Sequence, residues 1–162
     1  LDRIIVSVPY TGTRFLKERL GVNEHIHTVV SWDALIERLE GKEIIAPLRN
    51  PYDVWGSTIR RWVKLDHDTH IPNFISAWYV MHALTLIKKI TFIPVDLKID
   101  PTGEIKDWTK VTGEKDRHNK KYYPISLRGI YLLPFVKKYY DHKTEVMKWK
   151  EGPYFIKHDG TY

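Results

Sequence analysis

The chain of 162 residues contains no cysteine, so neither disulfides nor thiolate metal sites hold it together. That absence assigns no compartment. No uninterrupted apolar run is long enough to cross a bilayer: the most apolar helical stretch carries Asn73, Ser76 and His82 and then Lys88 and Lys89. Nor does a charged n-region with an apolar h-region precede the first strand-like residues, so a soluble, cytoplasmic protein without a membrane partner is expected. Metal-ligating residues crowd together only in LDHDTH, from Leu65 to His70. With no second cluster at metal-site spacing, no metal is expected.

What is present narrows the choice further. A chain of this length suits one domain that buries roughly two-thirds of its unfolded surface. Lys and Arg number 26 against 20 Asp and Glu, a formal net charge of +6. Such a balance suits an anionic ligand, whether a nucleotide bisphosphate, an acidic glycan or nucleic acid, and charge alone does not choose among them. The six Trp and ten Tyr read as core and rim packing in preference to a stacking platform.

Two stretches organise the rest. Arg3 to Val8 is an apolar, β-branched run of strand length, followed by a turn from Pro9 to Gly12 and a helical pattern in which Phe15, Leu16 and Leu20 share a face. A strand, a tight turn and a helix leave the helix's first amides pointing over the strand's C-terminal end, where the helix dipole favours an anion. Ordinary punctuation between a strand and a helix has the same outline. The P-loop of ATP and GTP enzymes is not present, because that motif needs GxxxxGK[ST] and here Gly12 precedes Thr13 and Arg14. The second stretch begins with Glu43 to Leu48, another short apolar run, and ends in Arg49-Asn50-Pro51. Asn50 is placed to cap the following helix and Pro51 to open it. Ser57 then lies about two turns into that helix. On its own, this is also the pattern of a surface Arg beside an N-capped helix.

Taken together, VPYTGTRFL and the spacing of Arg49, Asn50, Pro51, Asp53 and Ser57 resemble the PAPS-dependent sulfotransferase superfamily. In that family a strand runs into a P-[K/R]-[S/T]-G-T turn that holds the 5′-phosphosulfate, and the Arg and Ser of RNPxDxxxS hold the 3′-phosphate. The resemblance extends from about residue 3 to residue 140. It implies an α/β, three-layer P-loop-like fold: a short parallel sheet of about four strands flanked by helices. By position it assigns the 5′-phosphosulfate to Tyr10, Thr11, Gly12, Thr13 and Arg14, through their amides and the hydroxyls of Thr11 and Thr13. The 3′-phosphate falls to Arg49 and Ser57.

The chain between and after these stretches follows the same order. Gly21 stops the first helix, and HIHTVV, from His25 to Val30, is a second candidate strand on which His25 and His27 share a face. An imidazole suits proton removal from an acceptor hydroxyl near neutral pH. The pair is similar to the His-x-His of heparan 2-O-sulfotransferases, which implies His27, or failing it His25, as base; a plain polar strand face is the alternative. Ser31 caps a helix over Trp32 to Glu40, with Leu35, Ile36 and Leu39 inward. Arg60 and Arg61 either extend the phosphate site or lie on a solvated face. A long helix from Ile71 to Ile90, apolar nearly all round, is expected to be central, and Thr91 to Val95 forms the fourth strand. FIPVDL, from Phe92 to Leu97, loosely resembles the family's closing strand end.

Lys120, Lys121 and Tyr122 belong to a basic, aromatic stretch that the resemblance places over the nucleotide, although single-stranded nucleic acid fits such a stretch as well. Ser126 is expected to cap a last helix that Pro134 kinks or splits. Residues 1–141 thus form the nucleotide-binding domain, and residues 142–162 a packed or partly disordered tail. The expected activity is in-line sulfuryl transfer from PAPS, with PAP as product, to a hydroxyl or amine on a small-molecule or glycan acceptor. Nucleic acid is not the expected partner. One departure stands out, because the family's Lys or Arg in the phosphosulfate turn is here Tyr10, and Arg14, Lys120 or Lys121 would have to supply the charge. The alternatives are an idle PAP- or PAPS-binding module, a nucleotide or small-molecule kinase, and a basic nucleic-acid binder.

Overall fold

Aliphatic and β-branched residues run almost unbroken through the strand segments, the signature of strands covered on both faces. A computed structural model of the chain describes residues 2–61, 67–94, 125–141, 143 and 146–147. It contains β1 (Arg3–Ser7), α1 (Thr13–Leu20), β2 (His25–His27), α2 (Trp32–Leu39), β3 (Glu43–Leu48), α3 (Pro51–Arg61), α4 (His67–Thr85) and β4 (Ile90–Pro94). A 3-10 helix (Ile125–Leu132), α5 (Pro134–Lys137) and the short strands β5 (Tyr140–Asp141) and β6 (Val146–Met147) follow. The first four strands pair in parallel in the order β2-β1-β3-β4, the four-stranded parallel sheet flanked by helices that was expected. β5 and β6 make a separate antiparallel pair.

This order distributes the helices. From β1 the chain steps one way to β2, then crosses back over β1 to β3, so right-handed connections must put α1 on one face and α2 on the other. The two cores agree with that. Ile5, Ile45 and Ile93 pack with Leu16, Leu20 and Val22 on the α1 side. Ile4, Val6, Ile44, Ala46 and Phe92 pack on the opposite side with residues of α2, α3, α4 and α5. Alternate strand residues thus serve alternate layers. On the larger side a chain of rings crosses the core from Trp55 to Phe74 (5.0 Å), Trp78 (6.2 Å), Phe135 (6.1 Å) and Phe92 (5.2 Å). Such pairs contribute about 0.5–1.5 kcal/mol each beyond the area they bury.

Local signals account for several boundaries. Gly21 ends α1 at φ 62, a left-handed conformation that glycine adopts without a Cβ clash. Ser31 accepts from the Ala34 amide at 3.3 Å, the cap expected of it. Elsewhere the boundaries differ from expectation. β2 stops at His27 because its partner β1 stops at Ser7, and two residues later Pro9 has no amide to continue a ladder. α4 begins at His67, so part of LDHDTH is helical and Pro72 lies inside the helix; polarity alone does not break a helix. Its buried residues, Phe74, Ala77, Trp78, Met81 and Leu84, occupy one face, while Tyr79 is 47% exposed, so α4 is a flanking helix and not a central one. At the other end, Ser126 lies within the 3-10 helix instead of capping an α-helix. Pro134 would clash with the carbonyl of Ile130 in a continuous α-helix. Leu133 is therefore extended (ψ 132) and Pro134 opens α5.

Candidate functional site

In an open parallel sheet, a crevice forms beyond the C-terminal ends of two strands whose onward connections run in opposite directions. Here those strands are β1, which leads to β2, and β3, which leads to β4 on the far side. The two sequence stretches singled out above meet at that crevice. Arg49, just past β3, donates from Nη1 to the Tyr10 carbonyl at 2.8 Å and to Ser57 Oγ at 2.9 Å. Arg49 and Ser57 are 6% and 7% exposed, so the expected pair is in direct contact and well covered.

The turn after β1 has an unusual backbone. Tyr10 has φ 66 and Gly12 φ 100. The left-handed region is open to Gly12, but for Tyr10 it costs about 1–2 kcal/mol, so surrounding contacts must hold it there. Its carbonyl is gripped by Arg49, and its ring packs against the larger core. Thr11 is buried, and its hydroxyl donates to the Val8 carbonyl at 2.6 Å. That hydroxyl thereby closes the turn. α1 then starts at Thr13 with Gly12 as N-cap and no side-chain cap. Its first turn, with Arg14 exposed, has the character of an anion-receiving helix end.

On the α1 side of the sheet lies a contact that the sequence did not announce. Ser7 is fully buried, and its Oγ is 2.6 Å from Thr13 Oγ1 and 3.0 Å from His27 Nδ1. Register explains the meeting, since Ser7 on β1 is the direct partner of His27 on β2. Partners in parallel strands project to the same face. Burial is the main cause that lowers the His27 pKa below its ordinary value; the charge on His25 adds to it, and a hydrogen bond to the Ser7 main chain opposes both. His27 is therefore neutral at neutral pH. With Nδ1–H as the donor toward Ser7, the lone pair sits on Nε2, the nitrogen a general base would use. His25 is exposed, its ring 5.6 Å from that of His27.

A second unannounced contact supports the turn after β3. The Asn50 Oδ1 accepts from the Tyr52 amide at 3.0 Å, the cap expected of it, and from the Tyr131 hydroxyl at 2.5 Å. Tyr131, from the 3-10 helix, thereby holds the Arg49-Asn50-Pro51 turn from 81 residues away. Neither Ser7 nor Tyr131 has a sequence signal beyond being a polar group at an otherwise apolar position.

Lys120, Lys121 and Tyr122 lie outside the described residues, as do the side chains of Arg60 and Arg61. Among the described residues no cluster of His, Cys, Asp or Glu could hold a metal ion, and no helix is long and apolar enough to cross a membrane. Compared with protein families, curated proteins and solved structures, the chain shows no match.

Proposed function

We propose that the protein is a PAPS-dependent sulfotransferase with a P-loop-like fold, and that the crevice between β1 and β3 takes the nucleotide. The observation that carries this reading is the Arg49–Ser57 contact at 2.9 Å, set directly beneath the turn that precedes α1. A guanidinium beside a hydroxyl is a good receptor for a phosphate, because charge-assisted hydrogen bonds are about twice as strong as neutral ones. Arg49 and Ser57 would hold the 3′-phosphate. The amides at the start of α1, with Thr13 and Arg14, would hold the phosphosulfate end.

Bound PAPS would supply an activated sulfuryl group, passed in line to an acceptor oxygen as the bond from sulfur to the bridging phosphate oxygen breaks. His27 Nε2 would take the acceptor's proton, and its depressed pKa keeps it ready to do so. Charge growing on the bridging oxygen needs a cation or preorganised donors. Tyr10 supplies no charge, so Arg14, in the first turn of α1, would supply it.

Isothermal titration with PAP, 5′-AMP and ATP tests the donor site. The wild type should prefer PAP, and Arg49→Ala should weaken PAP by tenfold or more while leaving AMP nearly unchanged. Equal affinity for PAP and AMP, or indifference to Arg49, would overturn the proposal. Tighter ATP binding would move a kinase reading ahead.

A further inference from the structure

Three polar side chains form a continuous row on the α1 side of the sheet: Thr13 Oγ1, Ser7 Oγ and His27 Nδ1, spaced at 2.6 Å and 3.0 Å. Their access to solvent differs. Ser7, in the middle, is fully buried, while Thr13 and His27 are half-buried at either end. Thr13 opens α1, where the phosphosulfate end of the donor is proposed to lie, and His27 is the proposed base. The row therefore joins the two ends of that site.

A hydroxyl has one proton to give and two lone pairs to receive with, and a neutral imidazole donates from one nitrogen and accepts at the other. With Ser7 out of reach of solvent, its proton goes to Thr13 or to His27, because a buried hydroxyl left without an acceptor is costly. Two arrangements satisfy the Ser7 hydroxyl. In one, Ser7 donates to Thr13, His27 donates from Nδ1 to Ser7, and the lone pair is on Nε2. In the other, Thr13 donates to Ser7, Ser7 donates to Nδ1, and the proton sits on Nε2, where it disables a base. The Ser7 main chain, which also bonds the ring, favours the first and gives it the larger share in the free protein. Thr13 decides the remainder. In the first arrangement its own proton needs an acceptor outside the row. Water can accept there but can equally donate to Thr13; an anion only accepts, and does so strongly.

We infer that Thr13 is a positioning residue for the base: with an anion accepting from its hydroxyl, Ser7 is committed to Thr13 and His27 Nδ1 to Ser7, so that filling the nucleotide site leaves His27 Nε2 bare. The inference rests on the sulfotransferase reading for the identity of the anion; the two possible directions of the hydrogen bonds rest on the geometry of the row. The imidazole is thus most ready to take a proton when the donor is in place.

The ring ¹⁵N resonances of His27, in histidine-labelled protein and assigned by their loss in His27→Gln, read the tautomer, because a bare nitrogen resonates far from a protonated one. They are recorded at neutral pH for the wild type, Thr13→Val and Thr13→Ser, each free, with saturating PAP, and with saturating adenosine 3′-monophosphate, which lacks the 5′-phosphate. Calorimetry checks that each ligand binds. In the wild type PAP should remove the Nε2–H share and the 3′-monophosphate should leave it. Thr13→Val keeps the branched shape without the hydroxyl, so Ser7 has His27 alone to donate to. Its shifts should move the opposite way, toward Nε2–H, and stay there with PAP bound, and kcat at saturating PAP should fall by about tenfold. Thr13→Ser restores the hydroxyl and should restore the wild-type response. Wild-type shifts that ignore PAP, that respond equally to the 3′-monophosphate, or that persist in Thr13→Val overturn the inference. PAP that binds none of the proteins sinks the donor reading; the shifts of free Thr13→Val then still decide whether Thr13 sets the ring, so the two failures are separable.

Discussion

Removing a single oxygen atom tests whether His27 is held for chemistry or merely packed. Ser7→Ala keeps the Cβ, the β1 ladder and the Ser7 carbonyl that accepts from the Thr28 amide at 3.0 Å. It deletes only the Oγ that touches Thr13 Oγ1 at 2.6 Å and His27 Nδ1 at 3.0 Å. Each such bond contributes about 0.5–1.5 kcal/mol net, so the two together should lower stability by about 1–3 kcal/mol. Urea denaturation followed by circular dichroism measures that loss. The imidazole would keep its main-chain contact to residue 7 and lose the side-chain one, so its orientation loosens without being abolished. General-base catalysis contributes about 10²–10⁴-fold in rate; a partial loss of positioning should lower kcat about tenfold, equivalent to ~1.4 kcal/mol of barrier. The ¹⁵N shifts of the His27 ring should move toward a mixture of tautomers at neutral pH. PAP affinity should change far less than kcat. A variant that is less stable but has unchanged ring shifts and full kcat would refute the argument, because Ser7 would then be a structural hydrogen bond and nothing more.

Two further outcomes follow from other contacts. Tyr131→Phe removes the hydroxyl bound to Asn50 Oδ1 and placed 3.0 Å from the Tyr52 amide; a loss of about 1–1.5 kcal/mol in urea denaturation is expected, with weaker PAP binding because the turn carrying Arg49 loses its brace. For His27 the sign with pH is fixed: the unfolded imidazole titrates near its ordinary value of about 6.5, and burial holds the folded one lower. As pH falls below 6.5 the unfolded state takes up the proton first, so the contribution to stability is complete above that pH and is lost as pH drops through the folded pKa. The difference in unfolding free energy between wild type and His27→Gln should therefore shrink as pH falls from about 7.5 to about 5; a difference that grows would contradict a half-buried, neutral imidazole.

The parts of the site that were legible in the sequence are those set by local chemistry. A β-branched run, a turn with glycine, and an Asn-Pro pair opening a helix each act within a few residues, and β1, β3 and the start of α3 all form where those signals stand. The eight-residue interval from Arg49 to Ser57 carries the side chains from a strand end to the second turn of a helix, and they meet there. Thr11 shows the limit of such reading. A hydroxyl in a phosphate-like turn can face a ligand or close the turn, and only the position of the Val8 carbonyl decides. Boundaries also depended on partners: β2 ends at His27, opposite Ser7, where β1 itself ends.

By itself, then, the sequence determined the kinds and order of elements, an α/β chain with two strand-turn-helix units that each end at a potential phosphate ligand. Side-chain periodicity and turn chemistry suffice for that, since they are properties of neighbouring residues. Tertiary structure alone decided the order β2-β1-β3-β4, which puts the two units side by side and opens the crevice between them. It alone brought Ser7 to His27 through strand register, Tyr131 to Asn50 across 81 residues, and the Tyr10 carbonyl to Arg49. Those contacts join residues far apart in the chain, and long-range pairing is settled by which faces bury together, a matter no local pattern encodes.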